Sequence, residues 1–134
     1  MGNTVIAVDD EAEAREFVST VLEESGYVSI VAENGEEAME LIRKNRPDLV
    51  IMDILMPRQS GIKMYRELKN SESLKDVPVI VYSGISRRTL LRAQTALSKT
   101  SGKSVPEPDA YLEKPVTPKT LAETIKRILN ERSA

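Results

Sequence analysis

The sequence predicts an α/β domain in which a parallel sheet is covered by helices on both faces. Short apolar runs rich in β-branched residues recur along the chain, and several of them end in an acidic residue. Between these runs lie longer segments whose apolar residues recur at helical spacing. Strands that alternate with helices in this way form parallel sheets. The chain has 134 residues, the usual size of a single domain.

The first half of the chain contains two predicted strands and two predicted helices. Val5–Val8 is continuously apolar, which is typical of a strand buried on both faces. Gly26 is placed to end the first helix, and Asn34-Gly35 forms a turn before the second. In the second helix we expect Ala38, Leu41 and Ile42 to face inward. The predicted strands cover 5–8 and 27–32, and the predicted helices cover 11–25 and 36–45.

The second half continues the alternation. Residues 49–52 form another fully apolar run, and it ends in Asp53. Thr117 followed by Pro118 is a helix cap with proline at the first helical position, so the last helix is expected to begin there. The predicted strands cover 49–52, 77–82 and 110–112, and the predicted helices cover 62–70, about 86–98, and the segment from Pro118 onward.

Composition excludes several kinds of chemistry. The chain has no cysteine and no histidine, so disulfides, thiolate metal sites and imidazole bases are ruled out. No apolar run approaches the roughly 20 residues that cross a bilayer, and no secretory signal is indicated. The net charge of −2 gives no general attraction to nucleic acid. We therefore expect a cytoplasmic protein without membrane or nucleic-acid partners.

Reactive side chains follow four of the predicted strands. Asp9-Asp10, Asp53, Ser83 and Lys114 stand at or just after strand ends, where ligands bind in open α/β sheets. Three crowded carboxylates favour Mg²⁺, which binds carboxylate, water and phosphate oxygens. Asp53 could then attack a phosphoryl group to form an aspartyl-phosphate. The metal and Lys114 would share the developing charge, and Ser83 could donate a hydrogen bond to a phosphoryl oxygen.

Each of these residues also has an ordinary structural interpretation. Asp9-Asp10 could cap a helix, Asp53 could belong to a turn, and Ser83 could be a capping hydroxyl. Lys114 alone would be a solvated surface lysine. Their joint placement, each at the end of a different predicted strand, favours a common site.

The combined motifs resemble those of response-regulator receiver domains, the phosphorylated modules of two-component signalling. The resemblance extends over about residues 4–129 of a single domain spanning 1–134. It implies a flavodoxin-like, doubly wound sheet of five strands in the order 2-1-3-4-5, with five helices. The motifs that carry it are Asp9-Asp10-Glu11, Asp53 with Met56-Pro57 and Gly61, Ser83-Gly84, and Lys114-Pro115.

The resemblance also implies a role for each site residue. Asp53 is the phosphoacceptor, and Mg²⁺ (or Mn²⁺) is held by Asp9, Asp10, Asp53 and the backbone carbonyl of Leu55. Ser83 and Lys114 bind the phosphoryl group, Ser83 and Tyr111 are the switch residues, and the peptide bond before Pro115 is cis. The phosphodonor is a sensor histidine kinase, a histidine phosphotransfer protein or a small molecule. The chain would catalyse only its own phosphorylation and dephosphorylation.

Phosphorylation would switch the surface formed by helix four, strand five and helix five, where a downstream protein docks. Homodimerisation is left open.

Two features depart from the common pattern. The first is that Ser83 and Lys114 lie 31 positions apart, so an extended loop is expected at about 99–109. The same region carries basic residues without acidic neighbours, which form either a solvated face or a surface for an acidic partner. They are Arg87, Arg88, Arg92, Lys99 and Lys103.

The second departure concerns the lifetime of the phosphoryl group. Leu55 and Ile85 lie two residues after Asp53 and Ser83, and both are apolar. Apolar side chains there would neither position nor admit an attacking water, which predicts slow self-dephosphorylation.

Three other functions compete with this prediction. A Mg²⁺-dependent phosphatase or phosphotransferase would place a second acid where the chain has Leu55. A nucleotide-binding module would need a glycine-rich loop instead of Asp9-Asp10-Glu11. A degenerate receiver would act as a phosphorylation-independent protein-interaction domain.

Overall fold

A computed structural model describes residues 2–56, 61–92, 95 and 106–133. The strands are β1 (Thr4–Val8), β2 (Val28–Ala32), β3 (Leu49–Met52), β4 (Val79–Ser83) and β5 (Ala110–Glu113). The helices are α1 (Ala12–Glu24), α2 (Gly35–Lys44), α3 (Gly61–Asn70), α4 (described over 87–92) and α5 (Pro118–Ser133). None of the helices in these described ranges is long and apolar enough to span a bilayer.

The five strands form one parallel sheet in the order β2-β1-β3-β4-β5. The predicted fold class and strand order are therefore confirmed. Val8, the last residue of β1, lies beside Ala32 of β2 and Met52 of β3. Because all strands run in one direction, their carboxyl ends meet at a single edge of the sheet.

The sheet separates two apolar cores, since alternate side chains of a strand point to opposite faces. Ile6 and Val8 of β1 belong to the core on one face, whereas Val5 and Ala7 belong to the core on the other. The first core contains buried side chains of α2 and α3, namely Ala38, Met39, Ile42, Met64, Tyr65 and Leu68. The second contains those of α1 and α5, namely Val18, Val21, Leu22, Leu121, Ile125, Ile128 and Leu129.

One buried residue of α2 was not predicted. Ala38 and Ile42 are buried as expected, and Leu41 packs against the same core while partly exposed, but Met39 is buried as well. The helix begins at Gly35. Methionine is long and flexible, so the Met39 side chain can extend from α2 into the core. At the start of α5, by contrast, the expected cap is present, because the Thr120 amide donates to Thr117 Oγ1 at 3.1 Å.

Residues 93, 94 and 96–105 lie outside the described ranges, so most of the predicted loop at 99–109 does too, as do Lys99 and Lys103. Residues 106–109, which are described and lead into β5, are anchored by several contacts. The Tyr65 hydroxyl donates to the carbonyl of Pro106 at 2.6 Å, and Glu107 forms an ion pair with Arg87. Asp109 exchanges hydrogen bonds with Val79, through its amide and through its carboxylate, both at 2.9 Å. These contacts fix the entry to β5.

Candidate functional site

The predicted site residues meet at the carboxyl edge of the sheet. Asp9 and Asp53 directly follow β1 and β3, which pair side by side, so their carboxylates are neighbours. Ser83 was expected just after its strand but is the last residue of β4, because it pairs with Glu113 of β5. Lys114 follows that strand and reaches back across the edge, where its amide donates to the Ser83 carbonyl at 2.8 Å.

Asp53 is buried, with 4% of its surface exposed, and both of its carboxylate oxygens accept hydrogen bonds. Oδ1 accepts from the Ser83 hydroxyl at 2.5 Å and from the Leu55 amide at 2.9 Å. Oδ2 accepts from Lys114 Nζ at 2.9 Å. A carboxylate can be this buried because charged and neutral donors replace the water it has lost.

Asp9, Asp10 and Asp53 form an acidic cluster whose ligand atoms lie within 4.8 Å of one another. Asp9 is buried and Asp10 is exposed, so the cluster opens to solvent on one side. Burial raises the pKa of Asp9, and hydrogen bonds from Lys114 and the Glu11 amide only partly offset this effect. Three oxygens at this spacing, open to water on one side, suit a hard divalent cation such as Mg²⁺.

Lys114 is the cation that balances these acids. Its Nζ donates to Asp9 Oδ2 at 2.8 Å, to Glu11 Oε1 at 2.8 Å and to Asp53 Oδ2 at 2.9 Å. It also lies 5.4 Å from the ring centre of Tyr82, within range of a cation–π interaction. Burial lowers the pKa of Lys114, but the three carboxylates outweigh it and raise the pKa overall. The peptide bond to Pro115 is cis.

Gly61 is required by the backbone on which Asp53 sits. A Cβ atom at this position would lie 2.3 Å from the carbonyl oxygen of Asp53 and 2.5 Å from Cα of Ile54. The Gly61 amide donates to the Ile54 carbonyl at 3.0 Å, which ties the start of α3 to the residues after β3. Met56 is buried, and Pro57 lies outside the described ranges.

The two predicted switch residues occupy different settings. Ser83 is fully buried, and its hydroxyl donates to Asp53 rather than capping a helix. Tyr111 is partly buried and donates its hydroxyl to the carbonyl of Ile85. Ile85 is partly buried against the core, whereas Leu55, beside Asp53, is 54% exposed. The roles of these side chains and of the Leu55 carbonyl stay predictions.

Two members of the site were not predicted from the sequence. Glu11 was noted only as part of an acidic motif, yet it contacts Lys114. A usable signal was its position at the helix N-cap, where Glu is not among the favoured residues. Tyr82 lies inside a continuous apolar strand, and its position below Lys114 depends on the pairing of β4 with β5. Strand patterning alone does not reveal that contact.

Comparisons with known proteins agree with this geometry. The family model described as the response regulator receiver domain matches residues 5–126. The chain is 34% identical to the phosphate regulon transcriptional regulatory protein PhoB of Pseudomonas aeruginosa, covering 96% of this chain and 52% of PhoB. It is 31% identical to the polar-differentiation response regulator DivK of Brucella anthropi, covering 98% of this chain and 99% of DivK. The chain thus spans about half of PhoB and nearly all of DivK.

Solved structures show the same fold. The chemotaxis response regulator CheY4 of Vibrio cholerae superposes with a TM-score of 0.80 at 26% identity, over 96% of this chain and 99% of CheY4. The receiver domain of the Francisella response regulator 1452 gives a TM-score of 0.76 at 26% identity, over 98% and 99% of the two chains. Response regulators are signalling modules that interact with histidine kinases and downstream targets. The chain belongs to the response regulator receiver domain family.

Proposed function

We propose that the chain is a working phosphoacceptor, in which Asp53 receives a phosphoryl group from a histidine kinase, a histidine phosphotransfer protein or a small phosphodonor. The observation that carries this proposal is the setting of Asp53. Its buried carboxylate lies between the Lys114 ammonium group and the Ser83 hydroxyl, next to two further acids at the same sheet edge. A purely structural aspartate would not require this convergence.

The acidic cluster fits Mg²⁺, or Mn²⁺ in its place. Asp9, Asp10, Asp53 and the backbone carbonyl of Leu55 would hold the ion. When bound, the ion supplies positive charge that offsets the carboxylates and the phosphoryl oxygens. It would thereby relieve the repulsion between Asp53 and an anionic phosphodonor.

The side chains of this chain would then perform the transfer. An Asp53 carboxylate oxygen forms a bond to phosphorus while the bond from phosphorus to the donor breaks, and the leaving group keeps that electron pair. The Lys114 ammonium group moves from Asp53 to the phosphoryl oxygens and stabilises their charge. Ser83 turns its hydroxyl from Asp53 to a phosphoryl oxygen, and Tyr111 moves into the space that Ser83 vacates. The surface of α4, β5 and α5 changes with them.

Incubation with acetyl phosphate and Mg²⁺ tests this proposal. We expect a base-labile gain of one phosphoryl group by intact-mass analysis, because acetate leaves as the acyl phosphate forms on Asp53. Asp53→Asn, which keeps the size of the side chain, should gain none, and neither should the wild type in EDTA. If the wild type also gained none with Mg²⁺, the domain would instead be a phosphorylation-independent interaction module.

The apolar residues that flank Asp53 and Ser83 predict a long-lived phosphoryl group. Leu55→Asn combined with Ile85→Asn should speed the loss of phosphate roughly tenfold, since polar side chains there can position a water molecule. Mass analysis after removal of the phosphodonor gives the rate. Val28→Asn is the matched control, because Val28 is also exposed, at 51%, but lies on β2 at the sheet margin. An unchanged rate in the double variant would contradict the prediction.

The surface formed by α4, β5 and α5 is proposed to receive an acidic segment of the downstream target. A cavity of about 290 Å³ opens between α4 and β5, and its lining combines Leu90, Leu91 and Tyr111 with the charged residues Arg87, Glu107 and Asp109. Arg87 is paired with Glu107 at its margin, whereas Arg88 and Arg92 are exposed on α4. The exposed arginines of α4, beside a cavity with both apolar and charged lining, suit an acidic, partly apolar partner.

Charge reversal tests the sign of this partner. Arg88→Glu combined with Arg92→Glu should weaken target binding about tenfold, because both substitutions place like charges opposite an acidic segment. Titration of an acidic, partly apolar peptide against the phosphorylated domain measures the affinity. Lys44→Glu serves as the control, since Lys44 is exposed on α2, away from this surface. Equal affinities for the reversed variant and the control would rule out an acidic partner.

A further inference from the structure

Glu11 occupies a helix-capping position without acting as a cap. It is the N-cap residue of α1, with φ −91° and ψ 120°, and its side chain makes no capping hydrogen bond. Residues favoured at this position are short, such as Ser, Thr, Asp and Asn, because their oxygens reach the free amides of the first turn. The longer Glu11 side chain instead reaches Lys114, where Oε1 accepts from Nζ at 2.8 Å.

The three carboxylates around Lys114 differ in how they are held. Asp9 and Asp53 have side chains only 6% and 5% exposed, and backbone amides fix one oxygen of each. The Glu11 side chain is 65% exposed and approaches the ammonium group from the solvent side. Glu11 is therefore the partner of Lys114 at the solvent-exposed mouth of the site, where a phosphodonor would enter under the proposed function.

The buried partners of Lys114 are also the residues proposed to bind the metal and the phosphoryl group. If Asp9 and Asp53 held a cation, their hold on Lys114 would weaken, because a carboxylate oxygen shared between two positive charges is attracted less strongly to each. Glu11 takes no part in that cluster, whose members are Asp9, Asp10 and Asp53. Its attraction for Lys114 therefore persists when the others are engaged.

We propose that Glu11 is a positioning residue that retains Lys114 in the unphosphorylated domain and competes with the phosphoryl group for its ammonium group. This inference rests on the proposed function, and it adds a residue that controls how readily Lys114 reaches the transferring group. Phosphoryl transfer would require Lys114 to exchange the Glu11 carboxylate for a phosphoryl oxygen. The size of the effect is that of an ion pair open to solvent on one side, about two- to fivefold.

The first test measures the hold on Lys114 without any phosphorylation. Folded protein in metal-free buffer is treated with a trace of acetic anhydride, and peptide mass spectrometry compares acetylation of Lys114 with that of the exposed Lys119. Glu11→Gln should raise the relative reactivity of Lys114 about two- to fivefold, because Lys114 Nζ loses the carboxylate that holds it on its solvent side. Glu13→Gln, which removes an exposed acid of the same helix, should leave it unchanged.

The second test measures the consequence for transfer. With Mg²⁺ and acetyl phosphate, Glu11→Gln should raise kcat for self-phosphorylation about two- to fivefold, since Lys114 is released to the phosphoryl oxygens. Loss of a negative charge near the mouth also attracts an anionic donor, but that effect lowers KM and should be shared by Glu13→Gln. Saturating Mg²⁺ is used for all three proteins, so that any change in metal affinity does not enter the rates.

The outcomes separate this inference from the proposed function. A wild type that is phosphorylated, with kcat and Lys114 reactivity equal in the Glu11→Gln and Glu13→Gln variants, would overturn the role of Glu11 alone. A raised reactivity with an unchanged kcat would also overturn it, because the contact would then be structural. A wild type that gains no phosphoryl group would overturn both the inference and the proposed function.

Discussion

Gly61→Ala should lower the free energy of unfolding by about 3 kcal/mol, at the upper end of what overpacking a well-packed site costs. The added Cβ would meet the backbone of Asp53 and Ile54 at 2.3 and 2.5 Å. Backbone atoms cannot turn aside as the end of a flexible side chain can. Relief therefore requires α3 and the residues after β3 to separate, which also weakens the 3.0 Å hydrogen bond between Gly61 and Ile54.

Urea denaturation monitored by circular dichroism measures this loss of stability. Gly84→Ala is the matched control, because a Cβ there meets no atom within 4 Å and Gly84 does not have a positive φ angle. It should stay within about 0.5 kcal/mol of the wild type. Similar losses in the two variants would show that the close approach to Asp53 is not what requires glycine at position 61.

Lys114→Met should destabilise the domain by about 3 kcal/mol in EDTA at pH 7, because it leaves two buried carboxylates without their counter-ion. Methionine keeps the apolar stem of lysine, so the loss reports mainly on charge. Lys119→Met, at an exposed position of α5, should have almost no effect. Saturating Mg²⁺ should recover most of the lost stability, since a bound cation replaces the missing charge.

A lower pH should reduce the loss of stability that Lys114→Met causes. Burial already raises the pKa of Asp9 above its ordinary value in the presence of Lys114, and removing the lysine raises it further. A carboxyl group whose pKa is higher in the folded state binds more protons when folded, so stability increases as the pH falls towards that pKa. Urea midpoints in EDTA at pH 7 and pH 5 measure this change. A stability difference between the wild type and Lys114→Met that is equal at both pH values and insensitive to Mg²⁺ would contradict the role of Lys114 as the counter-ion of the buried carboxylates.

The strand ends explain why much of the site could be predicted from the sequence. Val5–Val8 and Leu49–Met52 are fully apolar runs, each followed at once by aspartate, and parallel pairing brings those aspartates together. Local pattern and global fold agree there, because a strand buried on both faces can place polar side chains only beyond its end. The resemblance supplied the strand order, which hydrophobic periodicity cannot give.

Contacts between distant side chains could not be predicted in the same way. Glu11 and Lys114 lie far apart in the chain, and their contact depends on the sheet bringing β1 and β5 to one edge. The burial of Met39 in α2 was missed for a related reason, since Met39 and Leu41 are both apolar and only packing decides how deeply each is buried. Such choices are set by tertiary contacts rather than by local spacing.

The structure also connects Asp53, the proposed phosphoacceptor, with the surface of the domain. Asp53 contacts Ser83 through one oxygen and Lys114 through the other, so a group added to Asp53 disturbs β4 and β5 together. Tyr111 on β5 is tied to Ile85 just after β4. A chemical change at Asp53 thus has a short physical route to the surface of α4 and β5.

The most direct test of Asp53 as the phosphoacceptor locates the phosphoryl group on the chain. Protein treated with acetyl phosphate and Mg²⁺ is reduced with borohydride, which converts an aspartyl-phosphate to homoserine, and peptides are then sequenced by mass spectrometry. We expect homoserine at position 53 only when acetyl phosphate and Mg²⁺ are both present. Homoserine at another aspartate, or none at all, would contradict the assignment of Asp53 as the phosphoacceptor.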